Sequence, residues 1–219
     1  MASRKPRSKK GAATREHVYR IALTLLRKRG YEQTTMRAIA DAAELSLGAA
    51  YHYFPSKDAI VMAYYEETQA MQEAAVRAAL ETAPASFASR LETVFQTMID
   101  VSNKERRLLG VLFAAVADPH HPLSPFSTKT TRIRERNFAL FEELLANEPK
   151  PERRFLARQL WLVHLGLLLC VLYDASPERA ETRKLATDVA AGIARLWPML
   201  RSPLARPYLA RIDRVFGIS

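Results

Sequence analysis

Cysteine is almost absent: the 219 residues hold one, Cys170, inside an apolar run. A lone thiol excludes a disulfide framework within the chain, leaves an oxidised sulfur without a resolving partner, and points to a reducing, cytoplasmic compartment. Glycine is scarce, at seven residues, and no alternating apolar and polar run is sustained, which excludes a fold built on sheets. The longest apolar run, LWLVHLGLLLCVLY at 160–173, falls short of the ~20 residues that cross a bilayer. The basic opening MASRKPRSKK leads into no apolar signal segment, so no membrane association is expected. Phosphate-loop, nucleophile and paired-carboxylate patterns are missing as well, which leaves His17, His52, His120, His121 and His164 without catalytic company. The chain reads as neither an enzyme nor a cofactor carrier. His120 and His121 are adjacent, cannot easily face one ion, and have no His or Cys three or four residues away, so they read as loop residues rather than metal ligands.

What is present is positive charge, and it is concentrated at the front. Residues 1–60 carry 12 Lys and Arg against 5 Asp and Glu, which accounts for +7 of the chain's net +10. That bias points to a polyanion met by the N-terminal part, nucleic acid ahead of membrane. Residues 1–13 have the composition of a disordered basic arm.

The remaining chain is helical in period, and its prolines fall between apolar-periodic stretches. The expected fold is all-α. A first helix starts at Thr14, a good N-cap, places Val18, Ile21, Ala22, Leu25 and Leu26 on one face, and ends at Gly30. Thr35 caps a second helix barely two turns long, with Met36, Ile39, Ala40 and Ala43 inward and Arg37 and Asp41 outward. After a turn, Ser46 caps a third helix from Leu47 to Phe54, which Pro55 stops, and Ser56 caps a long fourth helix. Two short helices joined by a tight turn behind a supporting helix make a helix-turn-helix. In such a unit the second short helix enters the major groove, so one of its faces packs inward and the other reaches phosphates or base edges. Ala50 and Phe54 are the inward pair. Gly48, Ala49, Tyr51, His52 and Tyr53 are left to read DNA, and Lys57 adds a charge at the following helix N-terminus.

At these residues the chain resembles the TetR family of bacterial transcriptional regulators. The resemblance runs from about Thr14 to Tyr64 and is carried by TTMRAIADAAELS and GAAYHYFPSKDAI. It implies base or backbone contacts from Arg37, Ser46, Leu47, Gly48, Ala49, Tyr51 and His52, and phosphate contacts from Thr35, Tyr53 and Lys57. Arg37 is the expected guanine reader. Three positions depart from the family's pattern. Glu44 stands where the turn often has Gly, a position that favours positive φ. Leu47 and Ala49 stand where Lys and Thr are frequent, which shifts the expected readout towards thymine methyls.

Residues 61–219 carry no comparable signature and read as a larger helical domain behind a DNA-binding domain at 14–60. Stretches through 87–101, 104–117, 126–145, 151–173 and 185–200 are amphipathic or apolar. In a TetR-like protein the last two long helices pair with their twins in a dimer, here through residues near 155–173 and 183–200. The resemblance also implies a cavity whose occupancy lowers affinity for a palindromic operator. Phe95, Met98, Phe113, Phe138, Phe141, Trp161 and His164 are its candidate lining, and they favour a small apolar or aromatic effector. The expectation is a homodimeric, ligand-responsive repressor on an inverted-repeat double-stranded DNA operator. The alternative is an architectural or protein-controlled DNA-binding regulator without a small-molecule ligand.

Overall fold

The computed structural model describes residues 9–116, 118 and 120–217, and among them the regular structure is helical throughout. Ten α-helices follow one another: α1 (Lys9–Gln33), α2 (Met36–Ala42), α3 (Leu47–Tyr53), α4 (Lys57–Thr82), α5 (Phe87–Lys104), α6 (Arg106–Val116), α7 (Thr131–Leu144), α8 (Lys150–Tyr173), α9 (Ala180–Leu200) and α10 (Arg206–Phe216). Among the described residues they form two compact units, one within 9–65 and 107–124 and one within 66–106 and 125–217.

The first unit is the helix-turn-helix. Its core gathers Val18, Ala22 and Leu26 of α1, Ile39 of α2, Ala50 of α3 and Ile60 of α4, and it is completed by Leu108, Leu112 and Leu123. The last three correct the domain boundary: α6 and the loop after it belong here, whereas the sequence grouped all of 61–219 together. The leucine stripe of α6 has the same period whichever core it serves, so the sequence alone could not assign it.

The start of α1 is a second correction. The helix begins at Lys9 rather than Thr14, so residues 9–13 of the expected arm are helical, while residues 1–8 lie outside the described residues. Thr14 is not a cap, because its hydroxyl donates back to the Lys10 carbonyl 3.0 Å away, the usual outlet for a threonine inside a helix. The helix breaks at Gly30, with φ 83°, and one more turn carries the chain to Gln33.

The second unit packs α5 against α9 and α8, and α7 against α8. Leu91, Val94, Phe95 and Met98 of α5 meet Phe138 and Phe141 of α7 and Leu160 and Trp161 of α8. Helix α7 begins only at Thr131; the expected extension back to Phe126 is a turn and a single 3-10 helix capped by Ser127. Helix α9 shows small residues to the core, Thr182, Ala186 and Ala190, and turns Leu185, Leu196 and Met199 outward.

Helix α8, at 24 residues, is long and apolar enough to cross a membrane by length and composition, which the 160–173 run alone is not. Phe155, Leu156, Ala157, Leu160, Trp161, Leu167 and Val171 are nevertheless buried in this unit, as in the core helix of a folded domain. Its C-terminal carbonyls are held by arginines: Arg106 donates to Val171 and Leu172, and Arg179 to Asp174. Asp174 then caps the start of α9, accepting from the Thr182 amide at 2.8 Å and hydroxyl at 2.7 Å and from Ser176.

Helix α10 lies beyond the last stretch expected to be helical, 185–200. It starts on Arg206 and Pro207, ends at Gly217 with φ 62°, and is anchored at several points, Arg206 meeting Glu152 and the Phe155 ring. Phe216 stacks on Phe126 with ring centroids 4.7 Å apart, and buried Asp213 meets Arg158 at 3.1 Å and Gln159 at 2.6 Å. Tyr208, Leu209, Ile212, Val215 and Phe216 recur along it at helical spacing, although most of its side chains are exposed.

Candidate functional site

The recognition element is α3, seven residues long and held from both ends. Ser46 Oγ accepts from the Ala49 amide at 3.2 Å, and Phe54, leaving the helix in an extended conformation, donates its amide to the Ala50 carbonyl. Ala50 and Phe54 are fully buried, four residues apart on one face. The Phe54 ring lies 6.2 Å from that of Tyr19 and under the Arg15 guanidinium at 4.4 Å, which fastens α1 to the end of α3. Arg15 was not singled out in the sequence, because a cation on an aromatic face leaves no local pattern.

The opposite face of α3 is open. Gly48, Tyr51 and His52 are exposed, Leu47, Ala49 and Tyr53 half-buried, and the His52 and Tyr53 rings meet edge to face at 5.3 Å. A Cβ built on Gly48 would touch nothing within 4 Å, so nothing inside the protein requires a glycine there. Arg37 stands exposed on α2, and Thr35 caps that helix by accepting from the Ala38 amide at 3.1 Å. The hydroxyls of Thr35 and Ser46 each keep a proton to donate outward.

Between α2 and α3, Glu44 has φ 56°. The turn therefore takes the left-handed conformation that a glycine adopts freely, and the side chain accepts the strain: the shape is kept and the residue differs.

Lys57 is placed differently from expectation. Its ammonium donates to the Tyr31 carbonyl and lies 3.7 Å from the centre of the Tyr31 ring. Burial lowers its pKa, against the opposing pull of Glu32 and Asp58. The Tyr31 hydroxyl donates to Asp58, and burial together with that carboxylate raises the phenol far above its ordinary range. Lys57 and Asp58 thus clamp the end of α1 to the start of α4, and the lysine is a brace before it is a phosphate ligand. His121 joins the clamp, its ring edge on to Tyr31 at 5.4 Å and its Nδ1 accepting from the Leu123 amide.

The expected effector lining is divided between the units. Phe113, on α6, is exposed and belongs to the first unit, so it does not join the others. Phe95, Met98, Phe138, Phe141, Trp161 and His164 come together in the second unit, all buried. Phe95 and Phe141 are 6.3 Å apart, Phe138 and Trp161 5.2 Å, and Phe141 and His164 6.5 Å. They pack as a core. His164 is enclosed, and burial lowers its pKa to about 4, so it is neutral at physiological pH. Four further polar side chains lie in the same unit, Thr68, Gln69, Gln72 and Asn137, and Gln72 reaches His164. They stand among apolar neighbours at positions for which the sequence offers no signal of burial.

Residues 19–64 match the family model of bacterial regulatory proteins, tetR family. The repressor KstR2 of Rhodococcus jostii is 51% identical over 41 residues, 19% of this chain and 20% of that protein. The chain thus matches only about a fifth of that relative's length. The fatty acid degradation regulator FadR of Bacillus halodurans superposes with a TM-score of 0.64 at 15% identity, covering 82% of this chain and 95% of that one. A tetR-family transcriptional regulator from Streptomyces coelicolor superposes at 0.60 with 18% identity, covering 94% and 97%. The two superpositions establish a shared fold, and the family match falls on the residues whose geometry is described above. The helix-turn-helix at residues 19–64 of this chain is that of the TetR family of bacterial transcriptional regulators.

Proposed function

We propose that this protein is a homodimeric, sequence-specific repressor that leaves an inverted-repeat operator when its second unit takes up a small, mainly apolar effector. The observation that carries the DNA-binding part is the two-sided build of α3. Ala50 and Phe54 lock it from within, while Tyr51, His52 and an unconstrained Gly48 stand free on the outside. Arg37 and Tyr51 are the principal readers in this account, with Ser46, Leu47, Ala49 and His52 beside them and Thr35 and Tyr53 on phosphates. The basic front of the chain supplies salt-sensitive affinity. A cytoplasmic location goes with this reading.

The dimer reading is supported by the outer faces of α8 and α9. Leu162, Gly166, Leu169 and Tyr173 recur at helical spacing on α8, and Leu185, Val189, Gly192, Leu196 and Met199 on α9. Leu169, Tyr173, Leu185, Leu196 and Met199 are exposed, the last two about half. A Cβ on Gly166 or Gly192 would meet nothing within 4 Å, which suits close approach of a second copy. Two recognition helices one DNA turn apart also call for a two-fold dimer.

The sequence likeness to KstR2 spans only 41 residues and brings no effector chemistry to this chain. The close packing of Phe95, Phe138, Phe141 and Trp161 favours the second reading, a regulator without a small-molecule ligand. Selecting bound duplexes from a random-sequence pool and then screening for molecules that release them separates the two. Enriched DNA with a releasing molecule supports the effector reading, and enriched DNA that no small molecule releases supports the second.

A further inference from the structure

The interior of the second unit contains a polar strip that its fold does not need. Gln69 and Gln72 of α4, Asn137 of α7 and His164 of α8 are each more than nine-tenths buried. Asn137 Nδ2 donates to Gln69 Oε1 at 2.6 Å and to the Ile133 carbonyl, which uses both amide protons. Gln72 Nε2 reaches His164 Nε2 only at 3.5 Å, the outer limit of a hydrogen bond. Thr68, four residues before Gln72 and on the same side of α4, adds a buried hydroxyl. Among the described residues neither Asn137 Oδ1 nor Thr68 Oγ1 has a partner, and each orphaned group costs about 1–3 kcal/mol. Val76, Phe138, Phe141 and Trp161, all buried, supply apolar surroundings. A half-satisfied network in such a place is worse for stability than leucine and valine would be.

The chemistry of the strip is selective. Its side chains are amides, a hydroxyl and a neutral imidazole, and Gln69 Nε2 donates to Glu73 Oε1 at 3.1 Å. The one carboxylate at its edge, Glu73, is already held by Arg136 through two bonds of 2.8 and 2.9 Å. No Lys or Arg among the described residues hydrogen-bonds to Thr68, Gln72, Asn137 or His164, so nothing there compensates an anion. The free carbonyl oxygen of Asn137 asks for a donor, which a hydroxyl provides and a carboxylate or a hydrocarbon does not.

We propose that this strip is the polar end of the effector site, and that the effector is an uncharged alcohol or phenol on an apolar body whose hydroxyl donates to Asn137 Oδ1. The inference rests on the reading of the second unit as an effector domain. The aromatic core around the strip then opens to admit the apolar body, and the core seen here is the unliganded packing.

The test uses the full chain at neutral pH with matched probes, decanol against decanoate and naphthol against naphthoate, followed by calorimetric titration. At least one alcohol binds, roughly tenfold or more tighter than the carboxylate on the same skeleton, the tenfold being about 1.4 kcal/mol. Asn137→Leu removes that preference. Thr68→Val, which relieves an orphaned hydroxyl, melts no lower than the parent and weakens the alcohol. Carboxylates binding as well as alcohols, or no alcohol binding at millimolar concentration, overturns the proposal. Should Asn137→Leu fail to fold, the probe comparison on the unaltered chain still decides. Release of selected DNA by a charged molecule, with alcohols inert, sinks this inference and leaves the effector reading standing. Failure to bind any DNA sinks the underlying reading.

Discussion

Tyr51 presents a large side chain to solvent, 46% exposed, on the outward face of α3. Tyr51→Ala is therefore expected to leave helicity and assembly mass unchanged while weakening operator binding at least tenfold, about 1.4 kcal/mol. Normal DNA affinity in that variant removes Tyr51 from the interface. Gly48→Ala separates folding from recognition at the same surface. The added methyl meets no atom and improves helix propensity by about 0.5–1 kcal/mol, so thermal stability holds or rises, while DNA affinity falls if the backbone comes close to the groove. Glu44 carries strain of its own. Glu44→Gly keeps the turn and relieves the left-handed side chain, raising stability by up to about 1 kcal/mol in denaturant titration, after the entropy cost of glycine is subtracted. An unchanged or lower midpoint contradicts the strain argument.

At the scale of elements, the helix-turn-helix was legible because its signals are local. Thr35, Ser46 and Ser56 each accept from the amide three residues on, Ala38, Ala49 and Ala59, as their positions before apolar stripes implied. The same rule misled at Thr14, where a threonine inside a helix looks identical in sequence to one that starts it. Tertiary choices were not legible. The leucines of α6 serve the first core, Phe113 points out of it, and the buried polar residues of α4 carry no signal of burial in the sequence. Helix α10 carries an apolar period of its own, Leu209, Ile212 and Phe216, whereas its anchors, Asp213 on Arg158 and Phe216 on Phe126, are long-range contacts that no local pattern announces. One junction between elements depends on pH. Hydrogen bonds from Ser176 and Thr182 hold Asp174 well below the usual carboxylate range. A depressed carboxylate stabilises the fold above its unfolded pKa of about 4, and the contribution drains away as pH falls from there towards the folded value. Asp174→Ala should thus melt lower than the parent at neutral pH, with the gap closing below about pH 4. A gap that stays constant with pH means the capping bonds do not depend on the charge.

For the whole molecule, the proposed function couples a basic reading head with a helical body that would pair with a second copy. The exposed stripe on α9 is the part of that claim most open to a single substitution. Leu196→Glu places a charge on a face where the parent shows an apolar side chain half exposed, and it should shift light-scattering mass from dimer to monomer without loss of helicity. Operator affinity should fall with it, because two half-sites then bind independently. A dimer that survives the charge moves the interface off α9.

The central claim is that α3 of a dimer reads a specific inverted repeat, and selection of bound duplexes from a random-sequence pool at moderate salt tests it most directly. The account predicts enrichment of two half-sites in inverted orientation about one helical turn apart, roughly 10 base pairs centre to centre, lost in Tyr51→Ala. Salt-sensitive binding with no enriched sequence would contradict it, since affinity would then come from the basic front of the chain alone.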